Sequence, residues 1–417
     1  LIKILHTADI HLDAPLRSLA LRDAALRDTI RAATRTAFEG LVDRALEEGV
    51  AALLIAGDLF DGKERSARTG AFLLAQLERL RTAGIRVFYV KGNHDAENPI
   101  TGALELPDNC HVFGARGGKV ALGDEVWIHG VSFADRHAPE SLLPRFAPPV
   151  PGAVNIALLH SSLAGAQGHD VYAPCSVAEL AGMGFDYWAL GHVHKRAVHA
   201  QEPWIVMPGI PQGRDIGEAG PKSATLLTIA QGGIAIEEVP TAIVEFVPAS
   251  LDVTPAQTDD ALRALLRERL AELRAAVAAR EAVVRLTLTG TPVRAWQILR
   301  DRDVWREQAA EMARAAGGLW LDKLHFEIAA PEDPGGTAAS AETASATDAL
   351  AALMADLVDD PGLAAAAQAE VETVLQDLPA ALRDRLMPDA DARDALASRL
   401  ARAGAARVVA RMKGADG

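Results

Sequence analysis

The chain has 417 residues, 49% of them hydrophobic and 24% charged, with a formal net charge of −14. That length predicts two or three domains, and no apolar run approaches the roughly 18 residues a membrane helix needs. Clustered Lys and Arg grip phosphate backbones, so the acidic balance excludes broad electrostatic attachment to nucleic acid and leaves only local basic patches or bound cations for that purpose. The two cysteines, Cys110 and Cys175, are too few and too far apart for a disulfide framework or a zinc cluster. Leu1-Ile2-Lys3-Ile4-Leu5 enters a strand at once, with no room for a charged and apolar leader, so a soluble cytoplasmic protein is expected.

In chain order, residues 1–241 alternate short apolar runs with amphipathic stretches, the pattern of a layered α/β domain. Predicted strands begin at Ile2, Ala52, Arg86, Val126, Asn155 and Tyr187. Ala33, Ala37, Phe38, Leu41, Val42, Ala45 and Leu46 fall at helical spacing, and Ala71 to Leu80 repeats the pattern. From 242 to 330 the rhythm changes to strand, helix, strand, helix, strand, predicting a small second α/β domain. Residues 331–347 are Pro, Gly, Ala, Ser and Thr with few large apolar groups, a composition that cannot bury enough surface to offset ordering, and they read as a linker. In the predicted helical tail, 348–417, Leu350, Leu353, Met354, Leu357 and Val358 form one apolar stripe.

Five short pieces follow strand ends in order: Asp9-Ile10-His11, Gly57-Asp58-Leu59-Phe60-Asp61, Gly92-Asn93-His94-Asp95, His160 and Gly191-His192-Val193-His194. Singly each is weak, since a lone Asp-x-His is more often a surface turn. Together they place carboxylate, imidazole and amide donors at the carboxyl ends of strands, where α/β sheets gather their ligands. Donors of O and N without thiolate suit Mn²⁺, Fe or Zn²⁺, with Mn²⁺ foremost. A bridging carboxylate can hold two such ions about 3.5–4 Å apart, where both polarise one phosphate. Asp58 is the expected bridge. Glycines 57, 92 and 191 allow sharp turns beside these residues. Asp13 and Asp95 are expected to shape loops, and His6, His111, His129, His137, His169, His199 and His325 to be structural or solvated.

The ordered set resembles the calcineurin-like metallophosphoesterase superfamily over roughly residues 1–215, predicting a layered β-sandwich flanked by helices. The resemblance implies that Asp9, His11, Asp58 and His194 hold a first metal, and Asp58, Asn93, His160 and His192 a second. It implies that His94 faces the scissile phosphate, with Asp61 orienting it. Archaeal and eukaryotic relatives of SbcD often carry histidine at the Asp61 position, so this residue departs from their pattern. The wording of His6-Thr7-Ala8-Asp9, Tyr187 to Lys195 and Pro208 to Arg214, followed by Glu218 and Gly220, is similar to SbcD and its YhaO-like bacterial relatives. On that resemblance the second domain caps DNA, the tail docks on an SbcC-like coiled-coil ATPase, and the chain forms a homodimer. The activity implied is a 3′ to 5′ exonuclease of DNA repair acting on duplex ends, with single-strand endonuclease action beside it. Arg214 and Tyr172 are the candidate substrate contacts, against a plain surface charge for Arg214 and a packing role for Tyr172. Two rivals remain at this point: a phosphoesterase of the same superfamily acting on a phosphoprotein or small nucleotide, and a DNA-organising scaffold whose metal site is mainly structural.

Overall fold

The computed structural model describes residues 1–16, 24–62, 66–96, 98, 104–163, 172–230, 233–329, 346–358, 360–379, 382–383, 387 and 389–413. The chain divides into two compact units. The first comprises Leu1–Pro248, Glu272–Arg285 and Ala316–Asp322. Its first six strands are β1 Ile2–Thr7, β2 Ala52–Ala56, β3 Arg86–Val90, β4 Cys110–Val112, β5 Gly118–Leu122 and β6 Val126–Val131. The next six are β7 Val154–His160, β8 Tyr187–Gly191, β9 Ala197–Gln201, β10 Trp204–Met207, β11 Ser223–Ala230 and β12 Gly233–Pro240.

These strands make two six-stranded sheets, ordered β12-β11-β1-β2-β3-β4 and β5-β6-β7-β8-β10-β9. In the first sheet β1, β2, β3 and β4 run parallel, and the antiparallel pair β11 and β12 extends the β1 edge. In the second, β6, β7, β8 and β10 are parallel, flanked by antiparallel β5 and β9. Side chains alternate across a strand, and β2 uses both faces. Ala52 and Leu54 point to the space between the sheets, where Ile4, Phe88 and Val90 pack with Ile128, Ile156, Leu158, Tyr187 and Val206. Leu53 and Ile55 point the other way, into a cluster with Phe38, Leu41 and Val42 of helix Ala24–Glu48 and Leu73 and Leu77 of helix Ala67–Thr82. A strand buried on both faces reads as an unbroken apolar run, which is why Ala52-Leu53-Leu54-Ile55-Ala56 shows no polar alternation. Truncating such a residue, Leu54→Ala for instance, costs about 2–5 kcal/mol because the packed neighbours cannot close the void. The second sheet buries Trp188 and Leu190 on its outer face with Phe146, Phe185 and Leu180, and Trp188 Nε1 donates to the Leu180 carbonyl at 3.0 Å.

The second unit comprises Ala249–Ala271, Leu286–Ala315 and Lys323–Gly417. A third sheet, ordered β13-β14-β15, is made of β13 Val244–Asp252, β14 Glu281–Gly290 and β15 Leu319–Ile328, and the division of the chain runs through these strands. Within the second unit Leu262, Leu266, Leu286, Leu288, Ile298, Trp305 and Ala309 are buried. The carboxyl-terminal region is helical: Ala346–Leu357, Pro361–Gln376 and Ala390–Lys413. The Asp360 side chain accepts from the amides of Gly362 and Leu363 with Pro361 at the first helical position, satisfying amides that a helix start leaves open. The last helix packs along Ala295–Arg300 and along both preceding helices. Of the segment read as a linker, residues 331–345 lie outside the described residues, as does His169. Among the described residues no helix is long and apolar enough to cross a membrane.

Candidate metal centre

The five sequence pieces lie at the carboxyl ends of β1, β2, β3, β7 and β8, and hydrogen bonds continue past the strand ends to hold their loops together. Asp9 N donates to Gly57 O at 2.9 Å and His11 N to Asp58 O at 3.0 Å, tying the first loop to the second. His192 N donates to the Asp9 carboxylate at 2.9 and 3.1 Å, tying the second sheet to the first. Asp95 accepts from Gly92 N at 3.0 Å and Phe60 N at 3.1 Å, so one buried carboxylate joins the loops after β2 and β3. Thus Asp95 shapes the site from behind. Asp13, likewise expected to shape a loop, pairs with Arg35 at 2.6 Å.

Asp9, His11, Asp58 and His192 all have positive φ, a conformation that costs side-chain-bearing residues free energy and persists where surrounding structure fixes it. Gly57, at φ +94, is beside them: a Cβ there would overlap the His160 ring, lying 2.7 Å from its Cγ. A Cβ on Gly92 would sit 2.9 Å from both Asp58 N and His160 Cε1. At these two positions only glycine lets the backbone approach so closely.

Candidate ligand atoms converge in three overlapping groups: Asp9, His11 and His194; His11, Asp58 and His94; Asp9, Asp58 and His160. Within each, one ligand atom per residue lies within 4.8 Å of the others. The Asp58 carboxylate stands between histidines from both sides, its Oδ2 being 3.5 Å from His160 Nε2 and 3.9 Å from His11 Nε2. Asn93 Oδ1 is 3.0 Å and His192 Nδ1 3.2 Å from His160 Nε2. On the opposite side, His11 Nε2 is 3.3 Å from His194 Nε2, which is 3.9 Å from Asp9 Oδ1.

Tautomers can be assigned from these partners. His160 Nδ1 faces the Ala56 carbonyl at 3.0 Å, and a carbonyl only accepts, so Nδ1 carries the proton of the neutral ring. Its Nε2 lone pair is then aimed at the oxygens of Asn93 and Asp58. Acceptor facing acceptor in a buried site is repulsive unless positive charge lies between, either a second proton on Nε2 or a metal ion, and Asp9, Asp58 and His160 are all buried. The donor set therefore fits divalent cations: hard oxygens and imidazoles, without thiolate.

The titration behaviour points the same way. Burial would raise the Asp58 pKa, but the charges of His160, His11 and His94 and a hydrogen bond from His160 outweigh it and hold the carboxyl below its ordinary range. Burial opposes charge on His160 as well, yet Asp58 and Asp9 push it up to about 9. These buried carboxylates demand positive charge beside them.

His94 is placed differently. Its backbone N donates to Asp58 Oδ1 at 3.0 Å and its Nδ1 accepts from Gly62 N at 3.1 Å, so the neutral ring carries its proton on Nε2. Burial lowers its pKa, with Asp58 opposing. Asp61, expected to orient His94, has its Oδ1 3.4 Å from His11 Nδ1 and 3.8 Å from the Arg214 guanidinium. Arg214 donates to Glu218 at 2.7 Å. Tyr172 is buried, its ring 5.3 Å from that of His192 and stacked at 6.3 Å on His137. Glu218, four residues beyond Arg214, joins the site without having been among the expected residues; its Oε1 lies 2.7 Å from His194 Nδ1. Burial would raise Glu218, but hydrogen bonds from His194 and Arg214 hold it well below the usual carboxylate range.

Residues 2–196 match the calcineurin-like phosphoesterase family, and residues 246–329 the middle domain of metallophosphoesterase YhaO. Over 336 residues the chain is 33% identical to the uncharacterized metallophosphoesterase YhaO of Bacillus subtilis strain 168, covering 76% of this chain and 80% of that one. The chain belongs to the calcineurin-like metallophosphoesterases. Other relatives are the DNA double-strand break repair proteins Mre11 of Sulfurisphaera tokodaii and Methanosarcina mazei. The first is 30% identical over 204 residues, covering 47% of this chain and 50% of its own. The second is 26% identical over 262 residues, covering 60% and 40%. The chain thus spans half or less of the length of these Mre11 relatives.

Proposed function

We propose that this metallophosphoesterase is a two-metal phosphodiesterase that degrades DNA from duplex ends, 3′ to 5′, in DNA repair. The observation that supports this reading is the clustering of carboxylate and imidazole donors at the strand ends, with the Asp58 carboxylate between His160 and His11 and with Asn93 and His192 beside His160. Asp9, His11, Asp58 and His194 would hold one ion, and Asp58, Asn93, His160 and His192 the other, with Mn²⁺ best suited to the mixed donors. Such a pair supplies Lewis-acid polarisation of the phosphoryl oxygens and a lowered pKa for water.

The protein's own groups do the rest. His94 presents an N–H on Nε2, the form needed to donate a hydrogen bond to the leaving ester oxygen, and Gly62 N–H on Nδ1 keeps it there. Its lowered pKa keeps the ring neutral near pH 7, so it donates a hydrogen bond to the developing charge rather than binding substrate as a fixed cation. His160 is fixed by the Ala56 carbonyl and the shared Asp58 by the His94 amide, so the donors need no reorganisation when substrate arrives.

DNA as substrate is supported by the Mre11 relatives, which are named as double-strand break repair proteins. With a net charge of −14, attraction to DNA would rest on bound cations and local contacts. The second unit would guide DNA, and its tail would meet a coiled-coil ATPase of the SbcC type. Leu353, Leu357, Leu363, Val374, Leu400 and Val408 of that tail are exposed, the surface a partner would bury. A homodimeric, cytoplasmic assembly completes the proposal. The test is release of nucleotides from an end-labelled duplex in Mn²⁺, beside a generic phosphomonoester. End-dependent release supports the reading, and rapid monoester hydrolysis with intact DNA would replace it with a phosphatase.

A further inference from the structure

Behind the paired imidazoles of His11 and His194 lies a run of charged groups that the ligand assignment does not use. Glu218 Oε1 is 2.7 Å from His194 Nδ1. A carboxylate only accepts, so His194 carries its proton on Nδ1 and turns the Nε2 lone pair toward His11 Nε2, 3.3 Å away. The Arg214 guanidinium also lies 3.1 Å from His194 Nδ1, but it only donates, and a protonated nitrogen has no lone pair to offer it. Arg214 spends its donors on Glu218: Nη2 on Oε1 at 2.7 Å, Nε on both oxygens at 3.1 and 3.3 Å, and the backbone N on Oε2 at 2.8 Å. Its Nη1 reaches Asp61 Oδ1 at 3.8 Å, and that same oxygen is 3.4 Å from His11 Nδ1. The chain of groups therefore runs His194, Glu218, Arg214, Asp61, His11, with both ends at the nitrogens turned away from the cluster.

Local structure holds it there. Glu218 closes a 3-10 turn, Ile216–Glu218, whose start is fixed by the Asp215 side chain accepting from Gly217 N at 2.8 Å. Glu218 and Arg214 are both mostly buried, so the pair is screened less than a surface ion pair.

We propose that Arg214 and Glu218 are positioning residues that fix the orientation and tautomer of His194 for a divalent cation, with Asp61 a charged neighbour of both Arg214 and His11. In this role Arg214 is the bridge between the two carboxylates, and not the phosphate contact expected from sequence. The inference rests on the metal-centre reading above. Carboxylates that orient ligand histidines typically contribute 10–100-fold to metal affinity.

The test uses the metal-stripped full chain, titrated calorimetrically with Mn²⁺ alone, for wild type, Glu218→Gln and Arg214→Met. The expected result is two sites in wild type and a fall of about 10–100-fold at one of them in each variant, the other unchanged. Nitrogen-15 NMR of histidine-labelled, metal-free protein gives a second readout: His194 carries its proton on Nδ1 in wild type and shifts toward Nε2 in Glu218→Gln. At saturating Mn²⁺, KM for bis(p-nitrophenyl) phosphate holds in Arg214→Met. Unchanged Mn²⁺ affinity in both variants overturns the inference, as does a KM rise of tenfold or more in Arg214→Met with metal affinity intact, which would make Arg214 a substrate contact. Should Glu218→Gln fail to fold by thermal melting in EDTA, Arg214→Met decides alone. A wild type that binds no divalent ion sinks the metal-centre reading itself, a result distinct from variants that bind as wild type does.

Discussion

Gly57→Ala should damage both stability and metal binding, and a second glycine provides the control. Gly57 sits at φ +94, and its added methyl would overlap the ring of His160, with Cγ at 2.7 Å and Cβ at 2.9 Å. That ring cannot step aside, because it is buried and tied to the Ala56 carbonyl at 3.0 Å. Left-handed backbone on a residue with a side chain costs about 1–3 kcal/mol, and forced overlap in a packed site about 1–3 kcal/mol more. At about 2–4 °C per kcal/mol for a domain of this size, the melting temperature in EDTA should fall by roughly 4–24 °C. A displaced His160 also weakens binding at its ion, so the rise in melting temperature on adding Mn²⁺ should shrink. Gly84 has φ +74 and nothing within 4 Å of its would-be methyl, so Gly84→Ala isolates the backbone cost. It should lower the melting temperature less and keep the full response to Mn²⁺. Thermal melts of both variants, with and without Mn²⁺, check this, and matching behaviour of the two would refute the reasoning.

Three further outcomes are expected. Asp58→Ala should lower the bound-metal count and remove activity, since both proposed donor sets share that carboxylate; elemental analysis showing two metals at full turnover would exclude the bridge. His94→Ala should keep its metals and lose about 10²–10⁴ of the rate, whereas a lost metal would make His94 a ligand. His6 is buried, and desolvation pushes its pKa down to about 3, with Arg196 adding to the effect and the Leu190 carbonyl opposing it. The unfolded chain, with a histidine near 6.5, binds the proton more readily, so this contribution is complete above about pH 6.5 and is lost as pH falls toward 3. Between pH 7.5 and 5 the wild type should lose about 2 kcal/mol relative to His6→Gln, and parallel urea-melt profiles would contradict it.

Much of the fold was legible because parallel strands buried on both faces announce themselves as apolar runs. Ala52 to Ala56 and Tyr187 to Leu190 are instances, each followed at once by polar residues that have no place in a core. The helix over Ala33 to Leu46 was equally plain from its spacing, since Phe38, Leu41 and Val42 all face the first sheet. Sheet order was not legible. The pairing of β11 with β1 joins residues more than two hundred positions apart, and β12 alternates exposed and partly buried residues as any edge strand does. At the site, the strand-end residues were readable because ligand types recur at one place in the topology. Glu218 was not, since it acts by a hydrogen bond to His194, distant in sequence, whereas Asp95 was expected to shape a loop and its carboxylate accepts from the Gly92 and Phe60 amides. Asp61 shows the same limit from the other side: its spacing from Asp58 was visible, but its proximity to His11 and Arg214 depends on where three loops meet.

Two ions sharing the Asp58 carboxylate would couple magnetically, which electron paramagnetic resonance of the full chain loaded with Mn²⁺ can read. An exchange-coupled spectrum is expected at two ions per chain, lost in Asp58→Ala. A spectrum of isolated, uncoupled ions at full loading would contradict the shared carboxylate.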